Sequence, residues 1–466
     1  NLSNKLQDGN NVLAIEVAGY NINSFYLLDQ PSFVQAEVVS GKKVLAATSD
    51  GAGGFEAFQI SNRVQKVPRF SYQRPFIEYY QMKPGYDAWR NDLSVTVQSL
   101  SCEEVGAKQL IERRVTIPDF RLRQPSCANG GHLKTGMVRD TYWKDRAVLN
   151  IGKLLGGFPE SELVLNPAIP LQEMETDSAR TGLRAYSNQS KYPLTSGQFE
   201  IFDFATNLTG FIEAEIEMTQ PGRVYFTFDE ILTNGDVDFK RLSCINAVTY
   251  DLAPGKYSLS SFEPYTMRYL KIAMIDGAGT IKQIYLREYA NSDIHATFTC
   301  SDQRLNRIYL AAVETFRQNA VDIFMDCPHR ERAGWLCDSY FTSRVASDLS
   351  GNTLIEKNFL ENFLLPDSFP NLPKGMLPMC YPSDHYNGSF IPNWAMWFVL
   401  ELKEYLLRSN DITMVNQLKP KVMDLLKYFQ AFENSDGLLE KLKAWIFVEW
   451  SDANKWVQDV NYPTNM

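Results

Sequence analysis

Hydrophobic and polar residues alternate with period two through the first two thirds of the chain and then change to helical spacing. Val12-Leu-Ala-Ile-Glu-Val-Ala, Phe25-Tyr-Leu-Leu, Phe33-Val-Gln-Ala-Glu-Val-Val and Lys43-Val-Leu-Ala-Ala-Thr read as strands. Turn formers separate them: Asp29-Gln-Pro-Ser, Ser40-Gly and Asp50-Gly-Ala-Gly-Gly. Phe199-Glu-Ile-Phe-Asp-Phe, Gly210-Phe-Ile-Glu-Ala-Glu-Ile-Glu-Met and Arg223-Val-Tyr-Phe-Thr-Phe alternate in the same way, and Tyr269-Leu-Lys-Ile-Ala-Met follows. Closely spaced strands with glycine-rich turns predict antiparallel sandwiches. Between them, Leu93-Ser-Val-Thr-Val-Gln and Arg113-Arg-Val-Thr-Ile also read as strands, with loops over 126–132 and 156–161. The expected division is therefore strand-rich 1–75, connecting β structure 76–194, a β-sandwich 195–295 and a helical domain 296–466.

Within the helical part, Leu305, Ile308, Tyr309, Ala312, Val313 and Phe316 predict a helix from about Asp302 to Asn319. Further helices are expected over 354–364, around Trp394 to Tyr405, and around Met423 to Gln430, the last ending near Asp436-Gly437.

Residues 326–338, D-C-P-H-R-E-R-A-G-W-L-C-D, gather three carboxylates (Asp326, Glu331, Asp338), two guanidiniums (Arg330, Arg332) and Trp335. Pro328 and Gly334 exclude regular structure between them, so the cluster sits on a loop. Asp338 opens the next periodic run, where the helix dipole is expected to keep it ionised. Three carboxylates this close repel unless the arginines neutralise two, which leaves the third to carry a raised pKa. Carboxylates held apart around a cleft suit glycosidic cleavage, in which one protonates the leaving oxygen while another orients the sugar or activates water. On residue chemistry alone, an ion-paired loop that pins two helices is the more economical reading, and both stand at this point.

Composition narrows the classes. The net charge is −9 with no basic block, so nucleic acid and anionic membranes are poor partners. Aromatic residues make up 13%, which suits sandwiches and carbohydrate sites. The seven cysteines lack C-x-x-C spacing, and the four histidines (132, 295, 329, 385) are scattered, with His385 in a polar loop that could border a cleft. Neither a metal site nor a cofactor motif is expected. No apolar run approaches the ~18 residues of a membrane span. The compartment stays open, with a periplasmic or extracellular one favoured, and homo-oligomerisation is also left open. A start at Asn1 without a signal-like segment reads as a removed leader or a cut chain.

Six of the eight tryptophans (335, 394, 397, 445, 450 and 456) lie after residue 300. An indole stacks on the apolar face of a sugar, whereas Trp397, within its apolar run, fits helix packing.

The charged segment resembles the signature of the bacterial α-L-rhamnosidase family of inverting glycoside hydrolases: acidic residue, Cys-Pro, Arg, Glu-Arg, Gly-Trp and a final Asp. Leu6-Gln-Asp-Gly-Asn-Asn-Val-Leu-Ala-Ile-Glu-Val is similar to later strands of the jelly-roll module found ahead of many glycosidase domains. Asp203-Phe-Ala-Thr-Asn-Leu-Thr-Gly and Phe262-Glu-Pro-Tyr-Thr-Met-Arg-Tyr-Leu resemble the sandwich that precedes the catalytic domain. The resemblance implies a multidomain β + α protein: antiparallel β-sandwich domains, then an (α/α)6-toroid catalytic domain of which this chain holds the first half.

It also implies roles. Glu331 would be the general acid, and Asp326, Arg330 and Asp338 would bind rhamnose hydroxyls. Trp335 would line the sugar site, and Trp394, Trp445 and Trp450 resemble sugar-site positions. The substrate implied is a rhamnose-containing oligosaccharide or glycoside, cleaved with inversion at a terminal α-L-rhamnosyl residue. This chain departs from the family at Cys337, usually Gly, and at Asn393 and Glu449, where Asp is usual. The base that activates water is expected downstream, in the second half of the toroid, so the chain reads as a fragment. Asp384, Glu449 and Asp452 are available carboxylates that no motif selects. Alternatives are a carbohydrate-binding protein without catalysis, or a toroid enzyme for another deoxy-sugar or a uronic acid.

Overall fold

A computed structural model describes residues 2, 5–9, 11–28, 30–48, 54–92, 94–95, 98–136, 142–143, 156–383, 388–451 and 462–466. The β part centres on β6 (Gln198–Gln220), a 23-residue strand that serves two halves of one sheet system. Its first half lies between β4 (Cys127–Thr135) and β10 (Tyr265–Met274). Its second half lies between β9 (Gly255–Ser260) and β11 (Ala278–Glu288). The pairing with β10 shifts register between Asp203 and Leu208, where Ala205 takes φ +66°. A bulge of this kind bends the strand and re-aims its second half. Along that half Ile212, Ala214, Ile216 and Met218 are buried while Phe211, Glu213, Glu215 and Glu217 are half-buried, the period-two alternation of a half-covered sheet.

β10 carries the sheet on to β7 (Gly222–Asp229), β8 (Ala247–Leu252) and, in parallel, β3 (Glu78–Met82), while β5 (Tyr192–Thr195) edges β11. Strands on both sides of residue 194 therefore share one sheet, and β3 and β4 are integral to it rather than connecting pieces. The expected loop at 126–132 is corrected, because residues 127–132 lie in β4. Gly130 and Gly131 face Glu200 and Phe199 of β6, and a Cβ at either would sit 2.6 and 2.7 Å from those side chains. These glycines make room for a neighbour's side chains rather than a turn.

Near the N-terminus, β1 (Glu37–Ser40) and β2 (Lys43–Ala47) form a two-stranded ribbon. The strands expected at 12–18 and 25–28 do not form. Val12, Leu13, Ile15 and Val17 remain exposed, and alternation without a ladder partner does not make a strand. No strand forms at 113–117 either, and residues 93, 96 and 97 of the other expected strand lie outside the described residues.

The helical part begins with α1 (Gln303–Asn319), whose first turn is capped by Asp302 accepting from the Arg304 N–H at 2.8 Å. α2 (Leu336–Ser350) and α4 (Pro392–Ser409) pack through Trp397, which meets Tyr340 and Phe341 at 4.7 and 5.4 Å. α3 (Leu354–Asn362) and α5 (Ile412–Gln430) complete a core around Phe359, Phe363, Phe398, Leu402, Leu418 and Leu425. These helices form part of an (α/α)6 toroid. The two parts are joined by polar contacts: buried Gln318 on α1 accepts from Thr209 Oγ1 at 2.8 Å and donates to the Asn207 carbonyl at 2.8 Å. That seam aligns the sheet with the loop between α1 and α2.

Candidate active site

The loop between α1 and α2 closes on itself. Asp326 N–H donates to the Ala333 carbonyl at 3.1 Å, and the Ala333 N–H returns to Asp326 Oδ1 at 3.1 Å. Arg332 takes φ +57°, turning the chain back towards α2. Gly334 must be glycine for a different reason: a Cβ there would lie 2.2 Å from the Tyr381 carbonyl oxygen. Tyr381 N–H donates to the Gly334 carbonyl and Leu336 N–H to the Met379 carbonyl, both at 3.0 Å, so 379–381 straps the loop like a short strand.

The sheet domain holds the other side. Arg74, 1% exposed, donates to the His329 carbonyl at 2.8 Å, and Ser71 Oγ to the Arg330 carbonyl at 2.8 Å. The buried His329 ring meets Asn246 Oδ1 through Nε2 at 2.9 Å. Burial and then the Arg74 charge push the His329 pKa down to about 3, so this ring is a neutral structural wedge at ordinary pH. None of these buttresses was found by sequence reasoning. They lie some 80 to 260 residues from the loop, and nothing local marks them.

Inside this frame Glu331 is 6% exposed and both its carboxyl oxygens accept. Oε1 accepts from Arg330 Nη2 at 2.5 Å and Nε at 3.1 Å, and Oε2 accepts from the Trp335 indole N–H at 2.9 Å. Arg332 contributes no neutralisation here: its guanidinium lies over the rings of Tyr289 and Tyr26, 5.4 and 5.9 Å from their centroids. The expectation of two neutralised carboxylates is thus corrected to one. Burial, reinforced by Glu331, pushes Asp326 up to about 7. Burial and the Glu331 charge push Asp338 up to about 6, although it sits in the first turn of α2. The dipole expected to keep Asp338 ionised is outweighed by desolvation. Burial and the Asp338 charge likewise push the Cys337 thiol up to about 12.

An aromatic run leads outward from the carboxyl. Trp335 is flanked edge-on by Phe25 at 5.6 Å and Trp394 at 5.0 Å. Trp394 meets Phe447 at 5.6 Å, and Phe447 meets Trp445 and Trp450 at 5.1 and 4.8 Å. Trp450 ends the run 79% exposed, and the buried Trp394 Nε1 has no partner among the described residues. Asp326, Arg330, Glu331 and Trp335 on the loop and Asp338 in the first turn of α2 therefore cluster together, with Trp394, Trp445 and Trp450 continuing from them. Phe25 and Phe447 were not singled out from sequence. Asn393 positions the run by donating to Thr464 and accepting from the Phe447 N–H at 3.1 Å. Glu449 accepts from Ser451 N–H on an exposed segment. Asp384, His385, Asp452 and Trp456 lie outside the described residues. Among the described residues no cluster of His, Cys, Asp and Glu could hold a metal ion, and no helix is long and apolar enough to cross a membrane.

Residues 293–466 match the family model of the bacterial alpha-L-rhamnosidase 6 hairpin glycosidase domain. An alpha-L-rhamnosidase of Formosa agariphila is 25% identical over 279 residues, covering 55% of this chain and 29% of that protein. An alpha-L-rhamnosidase of Alteromonas sp. is 27% identical over 147 residues, covering 30% of this chain and 16% of its own length. The crystal structure of a GH78 family rhamnosidase of Bacillus sp. GL1 superimposes with a TM-score of 0.68 at 15% identity, covering 95% of this chain and 63% of that one. A rhamnosidase from Klebsiella oxytoca with rhamnose bound gives 0.51 at 17% identity over 72% of this chain and 61% of that one. The chain spans less than a third of the curated relatives it matches.

Proposed function

Because residues 293–466 belong to the bacterial α-L-rhamnosidase six-hairpin glycosidase family, we propose that the protein containing this chain hydrolyses terminal α-L-rhamnosides by an inverting acid/base mechanism. The observation that carries the proposal is the placement of Glu331, buried at the root of an aromatic run between two carboxyls of raised proton affinity. Aromatic faces suit the apolar side of a 6-deoxy sugar, including its methyl group.

In this reading Glu331 protonates the departing glycosidic oxygen while a base, not identified among the described residues, activates water on the opposite face. As it stands Glu331 is an acceptor on both oxygens, so it needs release before it can donate. Arg330 supplies the means. Its side chain is 40% exposed, and by swinging onto a sugar hydroxyl it would free Oε1. Glu331 would then face Asp326 and Asp338 without its counter-ion. Asp326 and Asp338 are the proposed partners of the other sugar hydroxyls, and Trp335 and Trp394 its apolar wall.

The acceptor geometry also favours a second reading, a sugar-binding protein without cleavage. Following hydrolysis of p-nitrophenyl α-L-rhamnopyranoside by NMR with the whole natural protein separates them. Inverting hydrolysis yields β-L-rhamnose first. Saturable binding without nitrophenol release supports the second reading, and α-L-rhamnose as first product overturns inversion.

A further inference from the structure

We propose that Phe25, from the N-terminal segment of the β part, is a positioning residue for proton delivery: it holds the Trp335 indole in line with Glu331. The inference rests on the rhamnosidase reading of the Glu331 site. It adds to that site a residue outside the matched glycosidase domain, which starts at residue 293.

The bond from the Trp335 indole N–H to Glu331 Oε2, 2.9 Å long, requires one setting of the indole, because the N–H points in one direction within the ring plane. Two rings fix that setting. Trp394 of α4 meets Trp335 at 5.0 Å and 82°, and Phe25 meets it at 5.6 Å and 68°. Phe25, Ala333, Trp335, Met379, Cys380 and Ile391 form a small core of their own at the seam between the two parts of the protein. In a close-packed core the indole turns only if a neighbour yields, and shortening Phe25 makes that room.

Phe25 is itself anchored, as a positioning group must be. The Asn23 carbonyl accepts from Nη1 and Nη2 of the buried Arg69, both at 3.1 Å. The Phe25 N–H donates to the Gln73 carbonyl at 3.0 Å, and Ser24 Oγ accepts from the Leu27 N–H at 2.9 Å. The Ser24 carbonyl accepts from Ser383 Oγ at 3.0 Å, just past the strap that pairs with Gly334 and Leu336. The Phe25 ring also meets Tyr72 at 6.0 Å, and beside Tyr72 lie Ser71 and Arg74, which hold the carbonyls of Arg330 and His329. Segment 71–74 therefore seats the charged loop and Phe25 together. The two oxygens of Glu331 are under separate control: Oε1 by Arg330 on the loop itself, and Oε2 by an indole that the β part keeps aligned.

A ring that only filled the seam would slow every substrate alike. One that sets the indole acts on proton delivery, which matters most for a poor leaving group. The test compares Phe25→Leu, Trp335→Phe and the double variant in the whole natural protein, each checked for a parent-like far-UV spectrum. Phe25→Leu is expected to lower kcat on an alkyl α-L-rhamnoside by roughly ten- to a hundredfold, with a much smaller change in KM and a smaller loss on a dinitrophenyl rhamnoside. Added to Trp335→Phe it should cost little more, since both changes break one bond. A crystal structure of Phe25→Leu should show the indole turned, with Nε1 and Oε2 more than about 3.5 Å apart. If Phe25→Leu does not fold, Phe25→Met decides by the same comparison. Equal losses on both substrates, losses that multiply in the double variant, or an indole that has not moved overturn the proposal. A parent that cleaves neither rhamnoside overturns the rhamnosidase reading instead, and the indole position in the variant crystal then decides the role of Phe25.

Discussion

The indole N–H of Trp335 donates to Oε2 of Glu331 at 2.9 Å, four residues back along a loop that is not helical. That bond fixes the carboxyl against the aromatic run, while Arg330 holds its other oxygen from the solvent side. Trp335→Phe keeps most of the packing against Phe25 and Trp394 but leaves Oε2 buried without a donor. Such a group costs about 1–3 kcal/mol. Expected are a lowered midpoint in urea and a roughly tenfold or greater loss of kcat, since 1.36 kcal/mol in a barrier is tenfold in rate. Parent-like values in both would remove Trp335 from the site.

Asp326 and Asp338 make stability depend on pH in a specific direction. Each holds its proton more tightly in the folded protein than in the unfolded chain, so ionising it opposes folding. The penalty sets in as pH rises above the ordinary aspartate value of about 3.9 and is complete above about 7. Asp326→Asn, which can still accept from the Ala333 N–H, is expected to raise Tm relative to the parent at pH 8. The gain should fade by pH 4, where both carry a neutral side chain. An equal difference at both pH values would mean that desolvation of Asp326 is not the cause.

Arg74 ties the sheet to the charged loop. It donates to the carbonyls of His329 and Pro264 at 2.8 and 3.2 Å and lies 3.5 Å from Glu263. Arg74→Met leaves those acceptors and a largely buried carboxylate behind, a loss in the range of about 3–5 kcal/mol. Urea unfolding is expected to show it, together with loss of aryl rhamnoside hydrolysis in the folded fraction. Retained activity would mean that the loop holds its shape without the sheet.

Glu401 on α4 is fully buried, and neither carboxyl oxygen has a partner among the described residues. Burial, with Glu356 adding to it, pushes its pKa well above the usual carboxylate range. A buried polar group without partners costs about 1–3 kcal/mol on mutational scales. Glu401→Leu is therefore expected to raise stability in urea by about that amount at pH 7, and a loss of stability would show that the carboxyl is satisfied.

Local signals were legible where local physics decides. The spacing of Leu305 to Phe316 predicts a helix over 302–319, and the structure has it over Gln303–Asn319 with Asp302 as the cap. The loop at 326–338 is implied by Pro328 and Gly334, and the change from sandwiches to helices by the change of period. Three things were not legible. Gly130 and Gly131 read as a loop because their cause is Phe199 and Glu200 on another strand. The alternation at 12–18 reads as a strand, but a strand needs a partner that the local pattern does not report. Charge at the site was misjudged because desolvation depends on what the sheet domain covers: the helix-terminal position of Asp338 is visible in sequence, and its burial is not.

The most direct measurement is the dependence of Glu331→Gln on the leaving group, made in the whole natural protein. A general acid matters most where the departing oxygen is a poor leaving group. For a general acid at Glu331, kcat on an alkyl α-L-rhamnoside is expected to fall by about 10²–10⁴, with a much smaller loss on a dinitrophenyl rhamnoside. A loss below tenfold on the alkyl glycoside, or an equal loss on both substrates, would contradict it.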